Sequence, residues 1–379
     1  MILGLLLLPW LAVTALEGDG TAGSGEEAAA KIRVGVYNGD GASPACVVET
    51  FEALRIDPDI LPTLIGPIDI ATGGLEKLDV LVFPGGSGSK ENLSLGSSSH
   101  ASVRDFVIVQ GKGVVGICAG AYLVSDSEGY PCLKLLHADT IDREHDARGS
   151  AVCEIDFMQE GLEIFPEMKG YEHGYIQYHD GPVFVPPSDG REKRYIELAV
   201  NRSDVHHTGG APAGMTPGKA FLLCEEVGKG RVFACAGHPE STVGMRWMVP
   251  RMVRWAARRE LVRYGDDVTR PGLGTREIMH SDGLEKELFW KLFDDDPNAR
   301  IAAITELREK RYRSGFRWAI GLLRDSSPDV RSFAAYALAE SEYTVAIPDL
   351  EAAISVEKNK ACLAALQEAL SRLENTIQK

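Results

Sequence analysis

The sequence predicts an α/β fold, a mostly parallel sheet with helices on both faces, joined to a small all-α helical-repeat domain. Three observations carry this. From residue 31 to 262, apolar strand-length runs alternate with segments of helical period. Glycine-rich turns close several of those runs. Beyond Gly283 the alternation stops and one helical pattern recurs.

The first strand is "KIRVGVY", Lys31 to Tyr37, and "ACVVETFEALR", Ala45 to Arg55, has helical apolar spacing. "DVLVFPGG", Asp79 to Gly86, is a second apolar strand ending in a Gly-Gly turn. "ASVRDFVIVQGKG" predicts a helix closed by glycine, and "VVGI" a strand running into Cys118. "AFLLCEEVGKGRVFACAGHPE", Ala220 to Glu240, predicts two strands across a Gly-Lys-Gly turn. Strands separated by helices favour parallel pairing, with ligand-facing residues at the strands' carboxyl ends. Gly85-Gly86, Cys118 and His238 all fall at such ends.

A Gly/Pro/Arg-rich link, residues 263–283, leads to the repeats, residues 284–379. There Pro297, Arg300, Ala303 and Leu307 recur as Pro328, Arg331, Ala334 and Leu338, a spacing of 31 residues. A third, degenerate unit begins near Asn359. Prolines start the helices and alanines allow close stacking, so the segment resembles HEAT repeats. It predicts a protein partner or a brace for the α/β domain rather than a catalytic unit.

A formal charge of −15 without a basic cluster excludes a nucleic-acid surface. Ile2 to Leu16 is apolar, too short for a stable membrane span, and ends in small residues. It predicts a signal peptide over residues 1–16, lacking a basic n-region, then a polar linker over 17–30. An exported protein, periplasmic or secreted, is therefore expected. The seven cysteines form no CxxC pair. An exported chain has room for one or two disulfides, Cys132 with Cys153 being one candidate pair.

"GICAG" around Cys118 has the layout of a nucleophile elbow, with small neighbours that let the chain bend sharply. The amides of the following helix would face the sulfur and favour its thiolate. Gly85, Gly86 and the Ala119 amide are the candidate oxyanion donors. In "GHPE", His238 and Glu240 lie two apart, so an extended segment would turn both to one pocket. His238 is then the base, and Glu240 holds its ring and tautomer.

These motifs, with "VYNGDGASPACVVETFEAL", "LVFPGGSG", "GICAGAYL" and "YIQYHDGPVF", resemble the class I glutamine amidotransferase-like superfamily. Within it they are most similar to the N-terminal domain of biotin–protein ligases and its stand-alone bacterial relatives, from Lys31 to about Glu260. The resemblance implies a flavodoxin-like α/β domain with Cys118, His238 and Glu240 at triad positions and Gly85, Gly86 and Ala119 at oxyanion positions. It also implies that Tyr178 and Asp180, in "YHDGP", and Tyr37 and Asn38, at the first strand's end, belong to the pocket wall along with Tyr122.

Glutamine-using members carry Gln where this chain has Tyr122, and an exported protein meets no ATP pool, so nitrogen transfer is not expected. The sequence holds no basic Gly-Arg-rich biotinyl-adenylate loop, so biotin ligation is not expected either. What remains is a cysteine hydrolase or amidase on an unknown amide or ester. The alternative is a non-catalytic ligand-binding or scaffold protein using the pocket and the repeats. No metal is expected: Glu172, His173, His179 and Asp180 fit no standard ligand spacing. No cofactor is expected, and the ligand would be a small molecule or peptide.

Overall fold

Each strand–helix alternation in the first third of the chain builds one edge of a single sheet. β1 (Ile32–Tyr37) leads into α1 (Pro44–Leu54), which Pro44 starts, and then β2 (Ile60–Ile65). α2 (Pro67–Ala71) precedes β3 (Val80–Phe83), and α3 (Gly88–Ile108) leads to β4 (Gly113–Ile117). Gly96 breaks α3 with φ 66°, a conformation glycine adopts without strain. The computed structural model describes residues 31–141, 143–145, 147–206, 210–242, 245–265, 282–309 and 315–378. The expected signal peptide and polar linker, and most of the 263–283 link, lie outside the described residues.

After β4 come α4 (Ala119–Val124), β5 (Asp139–Ile141), β6 (Ser150–Phe157), α5 (Gln159–Ile164), β7 (Gly174–His179) and β8 (Val183–Val185). β9 (Ile196–Asn201), β10 (Ala220–Val227), β11 (Gly230–Cys235) and α6 (Met248–Ala256) complete this part. The order β2-β1-β3-β4-β11 is parallel throughout, and β10, β9, β6 and β7 extend it antiparallel. β5 and β8 pair antiparallel beside β10. The expectation of a mostly parallel sheet is corrected: the sheet is mixed, with a parallel core. The cause is local. The Gly-Lys-Gly turn makes β10 and β11 a hairpin, which reverses the chain where the parallel core ends.

In the parallel half, the crossovers through α1 and α3 step in opposite directions from the β1/β3 boundary. Right-handed crossovers therefore place α1 and α3 on opposite faces, and α6 packs beside α1. One apolar core runs through both halves, including Val34, Val82, Val115, Phe233 and Trp247, all with no exposed surface.

The helical region comprises α7 (Asp282–Lys291), α8 (Pro297–Glu309), α9 (Gly315–Leu322), α10 (Pro328–Glu340), α11 (Ile347–Val356) and α12 (Lys360–Gln378). The repeat is in register: α8 and α10 both begin on the matched prolines, and Ala303, Leu307, Ala334 and Leu338 are all buried. The matched arginines do the same work. Arg300 Nη1 donates to the carbonyls of Asp294 and Asp295, and Arg331 Nη1 to those of Asp325 and Ser326. Each then pairs with an acid in the next unit, Arg300 with Asp325 at 2.8 Å and Arg331 with Glu357 at 2.6 Å. In the third unit Asn359 replaces the proline and caps α12, accepting from the Ala361 and Cys362 amides.

The Arg331 guanidinium and the Asn359 amide hold the Glu357 carboxyl down at about 2. A depressed folded pKa adds stability above the unfolded value of 4.5 and loses it as pH falls toward 2. We therefore expect the stability gap between wild type and Arg331→Gln to be widest above pH 4.5 and to close on acidification. Denaturant titrations followed by circular dichroism at several pH values measure it.

All seven cysteines are buried free thiols. The candidate Cys132–Cys153 disulfide is thus corrected: Cys132 donates to the Ser127 carbonyl at 3.8 Å, and Cys153 is wholly buried on β6. Among the described residues no helix is long and apolar enough to cross a membrane.

Candidate active site

Cys118 joins β4 to α4 with φ 52° and ψ −105°, a strained conformation for a residue with a side chain. The strain is over-determined. The Cys118 amide donates to the Cys235 carbonyl at 2.9 Å, and its own carbonyl accepts from Ala121 and Tyr122. The flanking glycines have steric reasons. A β-carbon on Gly120 would lie 2.1 Å from the Phe83 oxygen, and one on Gly116 would lie 2.4 Å from the Gly120 oxygen. The G-x-C-x-G spacing is therefore what lets α4 start hard against β3 and β4.

His238 stands three residues beyond the end of β11, after Ala236 and Gly237. Glu240 stands in a short 3-10 turn, Pro239–Ser241, rather than in the extended segment expected. The turn still brings the two together: His238 Nδ1 and Glu240 Oε1 are 2.7 Å apart, and the residues are 2% and 0% exposed. The His238 amide donates to the Gln177 carbonyl, and Thr242 Oγ1 donates to the His238 carbonyl while accepting from the Gln177 amide. Burial pushes the His238 imidazole down, but the charges of Cys118 and Glu240 outweigh it and raise its pKa well above 6.5.

A cavity of about 480 Å³ opens on this point, lined by Cys118, Ala119, Gly86 and His238 among others. The Gly86 and Ala119 amides have no hydrogen-bond acceptor among the described residues, as an oxyanion pair requires. A β-carbon on Gly85 would lie 2.8 Å from both Cys46 Sγ and His238 Cε1, so glycine there leaves room for those two side chains.

Of the expected wall residues, Tyr122 and Asp180 line the cavity. Tyr122 donates to the Gly181 carbonyl at 3.1 Å, beside the buried Arg148 guanidinium. Asp180 accepts from the Gly149 amide. Tyr37, Asn38 and Tyr178 are not among the residues lining this cavity. Tyr37 has no exposed surface and packs on Phe83 at 5.3 Å, Asn38 points to solvent, and Tyr178 is buried, bonded to the Gly181 carbonyl at 2.6 Å. His173 pairs with Asp156 at 2.5 Å, away from His179, so the "YEHGYIQYHD" stretch gathers no single cluster.

Sequence reasoning missed Cys46 and Arg317. Cys46, in the first turn of α1, puts its sulfur within 4.8 Å of the His238 and Glu240 donor atoms. Among the described residues this is also the grouping close enough to share a metal ion. Arg317, from α9 in the helical region, reaches the same cavity. Neither carries a motif; both arrive by tertiary packing alone.

Fold and site together describe a mixed α/β domain with a cysteine on a strand–helix elbow, followed by paired helices. Residues 32–131 match the family model described as biotin-protein ligase, N terminal, and residues 285–371 match that for HEAT repeats. The chain thus carries a biotin–protein ligase N-terminal domain and C-terminal HEAT repeats. A biotin–protein ligase of Schizosaccharomyces pombe (strain 972 / ATCC 24843) is 34% identical over 241 residues, 55% of this chain and 33% of that protein. The chain spans about a third of that relative's length. Among solved structures, a ThuA-like protein from Parabacteroides merdae ATCC 43184 aligns with TM-score 0.43 and 13% identity, over 62% of this chain and 94% of its own. SMU.1228c aligns with TM-score 0.36 and 16% identity, over 56% and 80%.

Proposed function

We propose that this chain is an exported cysteine hydrolase or amidase acting on an amide or ester, in a flavodoxin-like member of the amidotransferase-like superfamily. The observation that carries the reading is the strained Cys118 elbow opening on a cavity beside the buried His238–Glu240 pair. The strand order β2-β1-β3-β4-β11 supports the flavodoxin-like assignment, and the apolar stretch Ile2 to Leu16 supports export.

In this mechanism the Cys118 sulfur attacks the substrate carbonyl carbon, and the negative charge that develops on the carbonyl oxygen is stabilised by hydrogen bonds from the Gly86 and Ala119 amides. The His238 imidazolium gives its proton to the departing amine or alcohol, leaving a thioester. Water, deprotonated by His238, then cleaves the thioester and restores the thiol. Glu240 positions the ring and stabilises its charged form. Tyr122, standing where glutamine users carry Gln, favours a substrate other than glutamine.

A second reading, a non-catalytic ligand pocket, is favoured by one contact. Cys118 Sγ donates to the His179 carbonyl at 3.3 Å, a contact that a packed thiol also makes. The two readings separate with p-nitrophenyl acetate. A hydrolase yields an acetyl adduct on Cys118, found by mass spectrometry after acid quench, and catalytic turnover that Cys118→Ser abolishes. Turnover unchanged in that variant, or no adduct on Cys118, would overturn the hydrolase reading.

A further inference from the structure

The cavity receives a residue from the far part of the chain. Arg317, in the first turn of α9, lines it along with Cys118. Its Nη2 donates to Glu49 Oε1 at 2.7 Å, and the Tyr343 hydroxyl meets the same guanidinium. Glu49 is wholly buried in α1, one turn beyond Cys46, and its other oxygen accepts from the Ser241 hydroxyl. The guanidinium is thus fixed from behind by the α/β domain. Its side chain nonetheless stays 38% exposed, on the cavity side of a pair whose acid is fully buried. A guanidinium has five N–H donors, and these partners do not use them all.

The rest of the wall suits the same kind of ligand. Arg143 is a second guanidinium on it, itself held by the Thr140 and Glu128 carbonyls and by Asp139, and Ser43, Ser87 and Ser89 add hydroxyls. Asp180 is the acid on the wall, and it is engaged by the Gly149 amide and His179. A donor-rich wall with two guanidiniums recognises a carboxylate, for which the planar fork of arginine is the matched shape.

We infer that Arg317 is the specificity-determining residue of the site, selecting substrates in which a free carboxylate lies a few bonds from the scissile carbonyl. The C-terminal residue of a peptide and an N-acyl amino acid are members of this class. The HEAT repeats, by this inference, complete the pocket rather than only bind a partner. The inference rests on Cys118 being the nucleophile proposed above.

The test uses the full chain and two alkylating probes of equal size, N-iodoacetylglycine and its neutral amide, with adducts on Cys118 quantified by mass spectrometry. Wild type should favour the carboxylate probe about fivefold, the size of one partly exposed ion pair. Arg317→Gln should lose the preference, read as the ratio of the two probes' rates within the same variant, and Arg317→Lys should keep part of it. Fast reaction without preference in wild type, or a preference that survives Arg317→Gln, overturns the assignment of Arg317. Slow reaction of Cys118 with both probes overturns the catalytic reading itself, and this inference with it.

Discussion

Gly120→Ala should destabilise the protein by about 3 kcal/mol or more and remove the reactivity of Cys118 with it. The added methyl would meet the Phe83 carbonyl oxygen at 2.1 Å and its carbon at 2.6 Å. Both belong to backbone at the end of β3, in the middle of the parallel core, so no side chain can swing aside. Relief requires α4 to lift from the sheet, which breaks the Gly120 amide bond to the Pro84 carbonyl and shifts the Cys118 elbow. Gly321→Ala is the control. It lies inside α9 with nothing within 4 Å, so alanine there should be neutral or stabilise by up to about 1 kcal/mol. Urea denaturation of both variants measures the contrast.

Glu240→Gln should cost about 3 kcal/mol at pH 6, because it leaves a buried imidazolium without its carboxylate. The variant keeps an acceptor for His238 Nδ1, so the change isolates charge from hydrogen bonding. The sign of the pH dependence follows from the raised His238 pKa. A pKa above its unfolded value of 6.5 adds stability that is complete below 6.5 and is lost as pH rises through the folded pKa. Wild type should therefore exceed the variant most below pH 6.5, with the gap shrinking at higher pH. Denaturant midpoints across pH 5 to about 9 report it. A gap that widens with pH would mean that His238 is neutral in the folded state.

These two residues also mark how much of the site was legible in the sequence. G-x-C-x-G and His-Pro-Glu are local motifs whose spacing has a steric or geometric cause, so they could be read without the fold. The repeat was legible for the same reason: Pro297 and Pro328, Arg300 and Arg331 recur because each unit closes the same turn. Strand direction beyond β4 was less legible, since an apolar run reads alike in parallel and antiparallel pairing. Tyr37 shows a finer limit. It ends the strand beside the site, but which face a side chain takes depends on one-residue register, and its ring turns into the core. Cys46 and Arg317 were not legible at all. Their roles come from where α1 and α9 pack, which no local pattern encodes.

The central claim, that His238 activates Cys118 as a nucleophile, is tested most directly by residue-resolved alkylation of the full chain with iodoacetamide at pH 6.5. Accessibility alone would not favour Cys118, which is 6% exposed against 8% for Cys132. The account predicts that Cys118 is modified first among the seven cysteines, and that His238→Gln slows it by about tenfold or more. Modification of Cys118 no faster than Cys132, or a rate unchanged in His238→Gln, would contradict it.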